Sequence, residues 1–446
     1  MEGSAAFADI EEAGIRVDVP YLDRTMQQTG DKIKQIEQEL RQDEVYATWR
    51  RVFGDKASLG SRDQLAKIVF GHLGVKSTVT TSTGKPKVDA NALDEIDLPF
   101  VRRWGVMEKL KKVRNTFLKG TRQAAVQRGD EWYIHPSFNL HLVWTFRSSG
   151  SEPNFQNQPI RDKRQAKLIR RSYIPRDGHR IVEIDYSALE FRGAANFWKD
   201  PAMVAYASDP TLDIHRDMAA ECFMLPTDDV SKDCRSFAKN QFVFPELYGS
   251  YYVSMAAGLW SAISKANLKT KAGVGIFDHL RTKGIDSQKA YEGHIKRVEQ
   301  NFAERFPHWA SEKDKWWNKY LERGWFPLST GFVCPGVFSY NNLMNTPIQG
   351  PSFHCLLWSL IQVNKWLKKN RMRTRIIGQI HDSMLADVYE PELQDYLHYV
   401  KDVMTVRVRK EWDWIVTPLE VEVETSDRSW FDKAAWKEQD GQWVPA

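Results

Sequence analysis

Three strand-forming stretches with an aspartate at their ends constrain this chain more than any other feature. Arg180-Ile-Val-Glu-Ile-Asp185 alternates and is β-branched, so it reads as a strand that ends on an acid. Far downstream, Thr374 to Gln379 and Met384 to Val388 are two further strand-like runs. Between them, Ile380-His381-Asp382-Ser383 stands at a hairpin turn. Residues from about 200 to 340 are expected to be mostly helical, and 351–370 to form one more apolar-periodic helix. Pro418 to Val423 is again strand-like.

The N-terminal part differs in character. From Tyr21 to Phe53 the chain is polar and helix-prone, with Met26, Ile33, Ile36 and Leu40 spaced for one apolar face. Lys76 to Pro86, rich in Thr, Ser, Gly and Lys, reads as an exposed loop, and Phe100 to Leu118 as a second amphipathic helix. No internal repeat is evident. The order is a helical arm, a strand, a large helical insertion and a sheet completed by C-terminal strands. That is an α+β architecture with a mainly antiparallel sheet. At 446 residues it fits two or three subdomains around one site.

Charge is informative through its distribution. Arg102, Arg103, Lys109, Lys111, Lys112, Arg114, Lys119 and Arg122 crowd one stretch, and Arg161, Lys163, Arg164, Lys167, Arg170 and Arg171 another. Such runs either neutralise a phosphate backbone or form solvated helix faces. The four cysteines, Cys222, Cys234, Cys334 and Cys355, contain no C-x-x-C pair, so a zinc site is not expected and a reducing compartment is. No apolar run is long enough for a bilayer and no signal peptide is seen, which points to a soluble, cytoplasmic protein. The 17 tryptophans are assigned to packing.

If the strands ending in Asp185 and flanking Asp382 are neighbours, the two carboxylates meet at the sheet edge. Such a pair repels itself unless a divalent cation lies between. Mg²⁺ suits the site, because it takes few carboxylates and completes its shell with water and phosphate oxygens. Read singly, Asp185 is more simply a strand-ending cap and Asp382 a turn residue.

The surrounding motifs change that weighing. Asp185-Tyr-Ser-Ala-Leu-Glu190-Phe-Arg192 resembles motif A of the family A DNA polymerases, the group of bacterial DNA polymerase I and many phage replicases. Ile380-His381-Asp382-Ser383 is similar to motif C, and Arg235-Ser-Phe-Ala-Lys239 followed by Tyr248-Gly249 to motif B. Arg147, Asn154, Gln156 and Pro159-Ile-Arg161 resemble the segment before motif A. Asp213-Ile-His215-Arg216 resembles the start of the fingers, and Asn345-Thr-Pro-Ile-Gln349-Gly350 the segment before motif C. Ala13 to Asp18 and Ser58 to Leu65 resemble thumb sequences. The resemblance covers nearly the whole chain.

It implies a right-hand polymerase fold with an antiparallel palm sheet, helical fingers and helical thumb. Residues 1–150 would form the thumb and palm entry, 151–200 palm, 201–345 fingers and 346–446 palm. Asp185, Asp382 and the backbone carbonyl of Tyr186 would hold two Mg²⁺ ions, with Mn²⁺ able to substitute. Arg235 and Lys239, on one helix face, would grip the triphosphate of a dNTP, with Lys239 also protonating pyrophosphate. His215, Phe244, Tyr248 and Glu190 would complete the dNTP pocket, Glu190 by blocking a ribose 2′-hydroxyl. Arg147, Asn154, Gln156, Asn345, Gln349 and His381 would touch primer–template DNA. The implied activity is template-directed extension of a primer, by a monomer away from membranes.

Four departures qualify this. Ser383 stands where motif C usually has a glutamate, and His-Asp-Ser also occurs in single-subunit RNA polymerases, so that class or a primase-like enzyme is the alternative reading. The spacing from Lys239 to Tyr248 is one residue long, which makes Val243 and Phe244 rival base-stacking positions. Phe244 offers the flat apolar face, and a π-bulge would absorb the extra residue. Pro245 stands where glycine is usual and predicts a kink or break between Asn240 and Pro245. The chain begins at the thumb, so proofreading is expected to be lacking, removed, or supplied by a separate exonuclease or replisome protein. Compactness suggests a phage origin and host cytoplasm.

Overall fold

The computed structural model describes residues 1–75, 96, 98–160, 162–265 and 267–446. The expected loop from Lys76 to Pro86 and the motif residue Arg161 lie outside the described residues.

A six-stranded antiparallel sheet organises the chain. Its central strand is His179–Tyr186, flanked by Ser383–Tyr389 on one side and Val421–Ser426 on the other. Arg375–Ile380 closes one edge, and Ala434–Gln439 with Gln442–Pro445 the other. The period-two alternation of the central strand divides its side chains between two faces. Val182, Ile184 and Tyr186 enter a core with Phe353, Leu356 and Leu360 of the long helix Tyr340–Lys369. Ile181 packs on the opposite face with Tyr173, Phe155 and Trp430. Glu183 and Asp185 leave that second face, where it opens into a cleft.

The helical arm forms as its apolar spacing predicts. Asp18 caps Val19–Arg41 by accepting from the Tyr21 backbone N–H. Ile33, Ile36 and Leu40 of this helix are buried with Trp49, Phe100 and Trp104, the last two from Pro99–Lys112. The neighbouring basic run is partly spent inside the arm. Arg103 pairs with Glu39, Lys111 with Glu37 at 2.9 Å and Arg122 with Asp23 at 3.1 Å.

The helix expected over 351–370 is longer than its apolar pattern suggests. Tyr340–Lys369 runs unbroken through Pro347 and Pro351, and through the expected subdomain boundary after residue 345. Each proline costs a backbone hydrogen bond, but both are buried and tertiary packing holds the helix. Gly350 and Gly193 permit the close approach. A Cβ at Gly350 would stand 2.9 Å from the Thr145 carbonyl oxygen, and one at Gly193 2.5 Å from Ser352 Oγ.

Candidate active site

The strand register brings the two aspartates together. Ser383 is paired directly with Asp185, so Asp382, one residue earlier on the hairpin turn, abuts the end of the central strand. The Tyr186 N–H donates to the Asp382 carbonyl oxygen at 3.3 Å. His381 turns the chain with φ 52°, a left-handed conformation that a non-glycine residue keeps only under local constraint. Gln379 supplies part of it, donating from Nε2 to the His381 carbonyl at 2.6 Å. Tyr186 sends its ring into the core, where its hydroxyl donates to the Met404 carbonyl at 2.9 Å.

Both acids line a cleft of about 460 Å³, joined there by Arg147, Gln156, Glu190, Lys239, Phe244, Tyr248, Gln349 and His381. Ten of the expected site residues thus meet in one place. Asp185 is open to the cleft, yet protein packs closely round it. That desolvation, with Asp382 and Glu183 nearby, raises its carboxyl well above the ordinary range. Burial, followed by the Asp382 charge, pushes Glu190 up to about 7, against Lys239 and Arg147. Arg147 Nη2 donates to Asp382 Oδ1 at 3.1 Å and stands 4.0 Å from Glu190. Burial and the Arg147 charge lower the His381 imidazole pKa, favouring its neutral form.

The opposite wall carries the second group of expected residues, and Pro245 shapes it. Ser231 caps Lys232–Ala238. A π-helical turn then spans Lys239–Val243, with the Phe244 N–H donating to the Lys239 carbonyl, before Phe244–Leu247 resumes as α-helix. The wide turn accommodates the extra residue, and it lies where a regular helix would press the proline ring on the carbonyl four residues back. The expected break is therefore present. Val243 is fully buried in the helical core, whereas Phe244 is half-buried and faces the cleft. Lys239 Nζ lies 5.1 Å from the centre of the Phe244 ring.

Four expected residues stand apart from this cleft. Arg235 faces a neighbouring one, where its Nε donates to Asp213 Oδ2 at 2.6 Å. His215 is buried behind Phe244, ring against ring at 5.7 Å, with neither ring nitrogen hydrogen-bonded. Burial, then Lys239 and Arg235, lowers it to about 3, so it is neutral. Asn154 is exposed and caps its own loop, accepting from the Asn157 N–H at 3.2 Å. Asn345 keeps a buried side-chain oxygen without a partner.

Sequence reasoning missed Glu183, Gln158, Ile160 and Arg170, which also line the cleft. Glu183 was legible through strand alternation, two residues before Asp185. Gln156 was expected at DNA. Here its Nε2 donates to Ser148 Oγ at 2.9 Å and to Gln379 Oε1 at 2.7 Å, bracing the residue that holds the turn.

Among the described residues no group of three or more acidic, histidine or cysteine side chains is set to hold a metal ion. Asp185 and Asp382 nevertheless fit a divalent cation. They are adjacent, burial and then the Asp382 charge raise Asp185, and a cation with water and phosphate oxygens in its shell would offset both.

Comparison with known proteins agrees along the chain. The family model described as DNA polymerase family A matches residues 20–273 and 338–432. DNA polymerase I of Pseudomonas aeruginosa is 27% identical over 416 residues, covering 89% of this chain and 40% of the relative. DNA polymerase I of Bacillus subtilis is 26% identical over 434 residues, covering 95% and 44%. The DNA polymerase of Bacillus phage SP01 is 27% identical, covering 79% and 37%. The chain therefore spans about two-fifths of the length of these curated relatives. Among solved structures, the POL domain of Pol1 from M. smegmatis, in complex with a DNA primer-template and dNTP, matches with a TM-score of 0.74. That match is 23% identical and covers 97% of this chain and 70% of the other. The fold is accordingly the right-hand polymerase fold.

Proposed function

The chain belongs to DNA polymerase family A, and we propose that it extends a primer 3′-hydroxyl with dNTPs, directed by a DNA template. One observation carries this reading: the Asp185–Asp382 pair and the Lys239, Phe244 and Tyr248 side chains face one cleft from opposite walls. An in-line displacement at a phosphate needs such an arrangement, because most of its catalysis is positioning and charge neutralisation.

In this reading the 3′-hydroxyl loses its proton to water, its oxygen attacks the α-phosphorus of the dNTP, the bond to the bridging oxygen breaks, and pyrophosphate leaves. Asp185 and Asp382, with the Tyr186 carbonyl, would hold two Mg²⁺ ions, with Mn²⁺ able to substitute. Bound divalent cations lower the pKa of the attacking hydroxyl and offset phosphate charge. Lys239 donates a proton to the departing pyrophosphate. Arg235 reaches the triphosphate after leaving Asp213, and His215 supports the pocket from behind as a neutral ring. Phe244 stacks on the incoming base, Tyr248 backs the nascent pair, and Glu190 beside it excludes a 2′-hydroxyl. Arg147, Gln349 and His381 line the floor within reach of the primer–template minor groove, where acceptors recur at every base pair. Gln156 braces that floor, and Asn154 and Asn345 contribute at its margins. Residues 1–150 would act as thumb and palm entry, 151–200 and 346–446 as palm and 201–345 as fingers.

The test is extension of a labelled primer–template with Mg²⁺ and either dNTPs or NTPs, with a chelator control. Extension with dNTPs that the chelator abolishes is expected. Preferential use of NTPs would favour the single-subunit RNA polymerase reading, which Ser383 motivates. No extension with either would overturn the assignment.

A further inference from the structure

Of the acids lining the cleft, Glu183, Asp185, Glu190 and Asp382, the proposed reaction leaves Glu183 without a part. Glu183 precedes Asp185 by two residues, so both side chains leave the same face of the sheet. Both of its carboxylate oxygens accept hydrogen bonds from the protein. Oε1 accepts from Ser383 Oγ at 3.0 Å, and Oε2 accepts from Trp430 Nε1 at 2.7 Å and from Lys433 Nζ. With both oxygens committed to protein donors, Glu183 is not itself a free ligand. Ser383 occupies the hairpin position where the family usually carries a glutamate. A carboxylate is present beside that position after all, delivered from the neighbouring strand.

We infer that Glu183 is a positioning residue that locks the His381–Asp382 turn to the central strand through Ser383 and holds a third negative charge behind the Asp185–Asp382 pair. This rests on the polymerase reading above. The turn needs such a lock, because His381 sits in a left-handed conformation and Asp382 follows immediately. Gln379 holds the turn on one side through the His381 carbonyl. The Ser383 hydroxyl, shared between Glu183 and the Ile380 carbonyl at 3.0 Å each, holds it on the other. Lys433 also pairs with Glu424 at 2.7 Å, so removing Glu183 does not strand a buried cation.

The arrangement predicts coupling between positions 183 and 383. Wild type, E183A, S383E and E183A/S383E are compared by two readouts. One is Mn²⁺ binding to the complex with a dideoxy-terminated primer–template, from the electron paramagnetic resonance signal of free Mn²⁺. The other is single-turnover extension. E183A is expected to weaken Mn²⁺ binding about tenfold, the scale of lost support behind a metal ligand, and to slow extension. S383E alone is expected to impair both, because two carboxylates then meet. In the double variant that clash is relieved while the Ser383–Glu183 hydrogen bond stays absent, so S383E should impair both readouts less in the E183A background than in wild type. Equal effects of S383E with and without Glu183, or unchanged Mn²⁺ binding in E183A, would overturn the inference. Should E183A fail to fold in a thermal melt, E183Q keeps the volume and the acceptor but drops the charge. It should weaken Mn²⁺ binding in the same direction, and unchanged binding would again overturn the inference. Wild-type extension separately tests the underlying reading.

Discussion

Arg147 donates to Asp382 across 3.1 Å, from a loop to a hairpin turn, and so supplies the protein's own cation at the place where the acids crowd. Asp382→Asn keeps the shape and an acceptor for Arg147 but removes the charge. Extension should fall by at least about a thousandfold, since several kcal/mol of charge stabilisation are lost. Primer–template affinity, measured by fluorescence anisotropy, should change by less than about threefold, because it draws on many phosphate contacts. Unaltered extension would remove Asp382 from the metal assignment.

Glu190 lies in the first turn of the helix Leu189–Trp198 and lines the cleft with Tyr248. Its expected task is steric and polar exclusion of a 2′-hydroxyl. Glu190→Ala should therefore narrow the preference for dNTPs over NTPs by roughly 10- to 100-fold, mainly through better use of NTPs. Competition between the two in one primer-extension reaction measures this. A variant that loses dNTP use while gaining no NTP use would assign Glu190 to the fold instead.

The rival stacking positions separate cleanly by experiment. Val243 is fully buried and Phe244 is half-buried at the cleft. Val243→Ala should cost about 1–3 kcal/mol in urea unfolding and leave the KM for dNTP within a few-fold of wild type. Phe244→Ala should raise that KM at least about tenfold, the loss of a base-stacking partner, with a smaller stability change. The opposite pattern would make Val243 the stacking residue.

The central strand and its aspartate were readable because alternation and β-branching act locally. Asp382 was readable because a polar turn interrupts two apolar runs. The helix from Tyr340 was not, since Pro347 and Pro351 argue against it until the packing of Gly193 and Gly350 is known. Whether basic residues are free or spent was equally hidden. Lys111 and Arg103 find Glu37 and Glu39 only once two helices lie side by side. Phe244 was preferred to Val243 for its flat ring rather than by spacing, because an inserted residue can be absorbed at several places; the wide turn lies at Lys239–Val243. Glu183 carried a signal of period two that the eye passes over, because a glutamate inside a strand reads as an exposed rung.

Glu246, directly after Pro245, offers a test of the helix Phe244–Leu247 by pH. Burial, opposed by Lys313 at 3.6 Å and reinforced by Glu299, raises its carboxyl to about 7 from an ordinary value of 4.5. The folded protein therefore holds a proton here that the unfolded chain releases between those two values. Stability from this group is fully present below pH 4.5 and is lost as pH rises through 7. Glu246→Gln removes the ionisation and keeps the volume, and Lys313 retains its seat 3.8 Å from the centre of the Trp309 ring. The stability of the variant minus that of wild type should thus shift in favour of the variant by about 1–3 kcal/mol between pH 5 and pH 8. Urea unfolding of both proteins at the two pH values measures it, and because other groups titrate alike in both, the difference isolates position 246. A difference that is the same at both pH values would mean that Glu246 ionises as an ordinary carboxylate, held by Lys313 despite its burial.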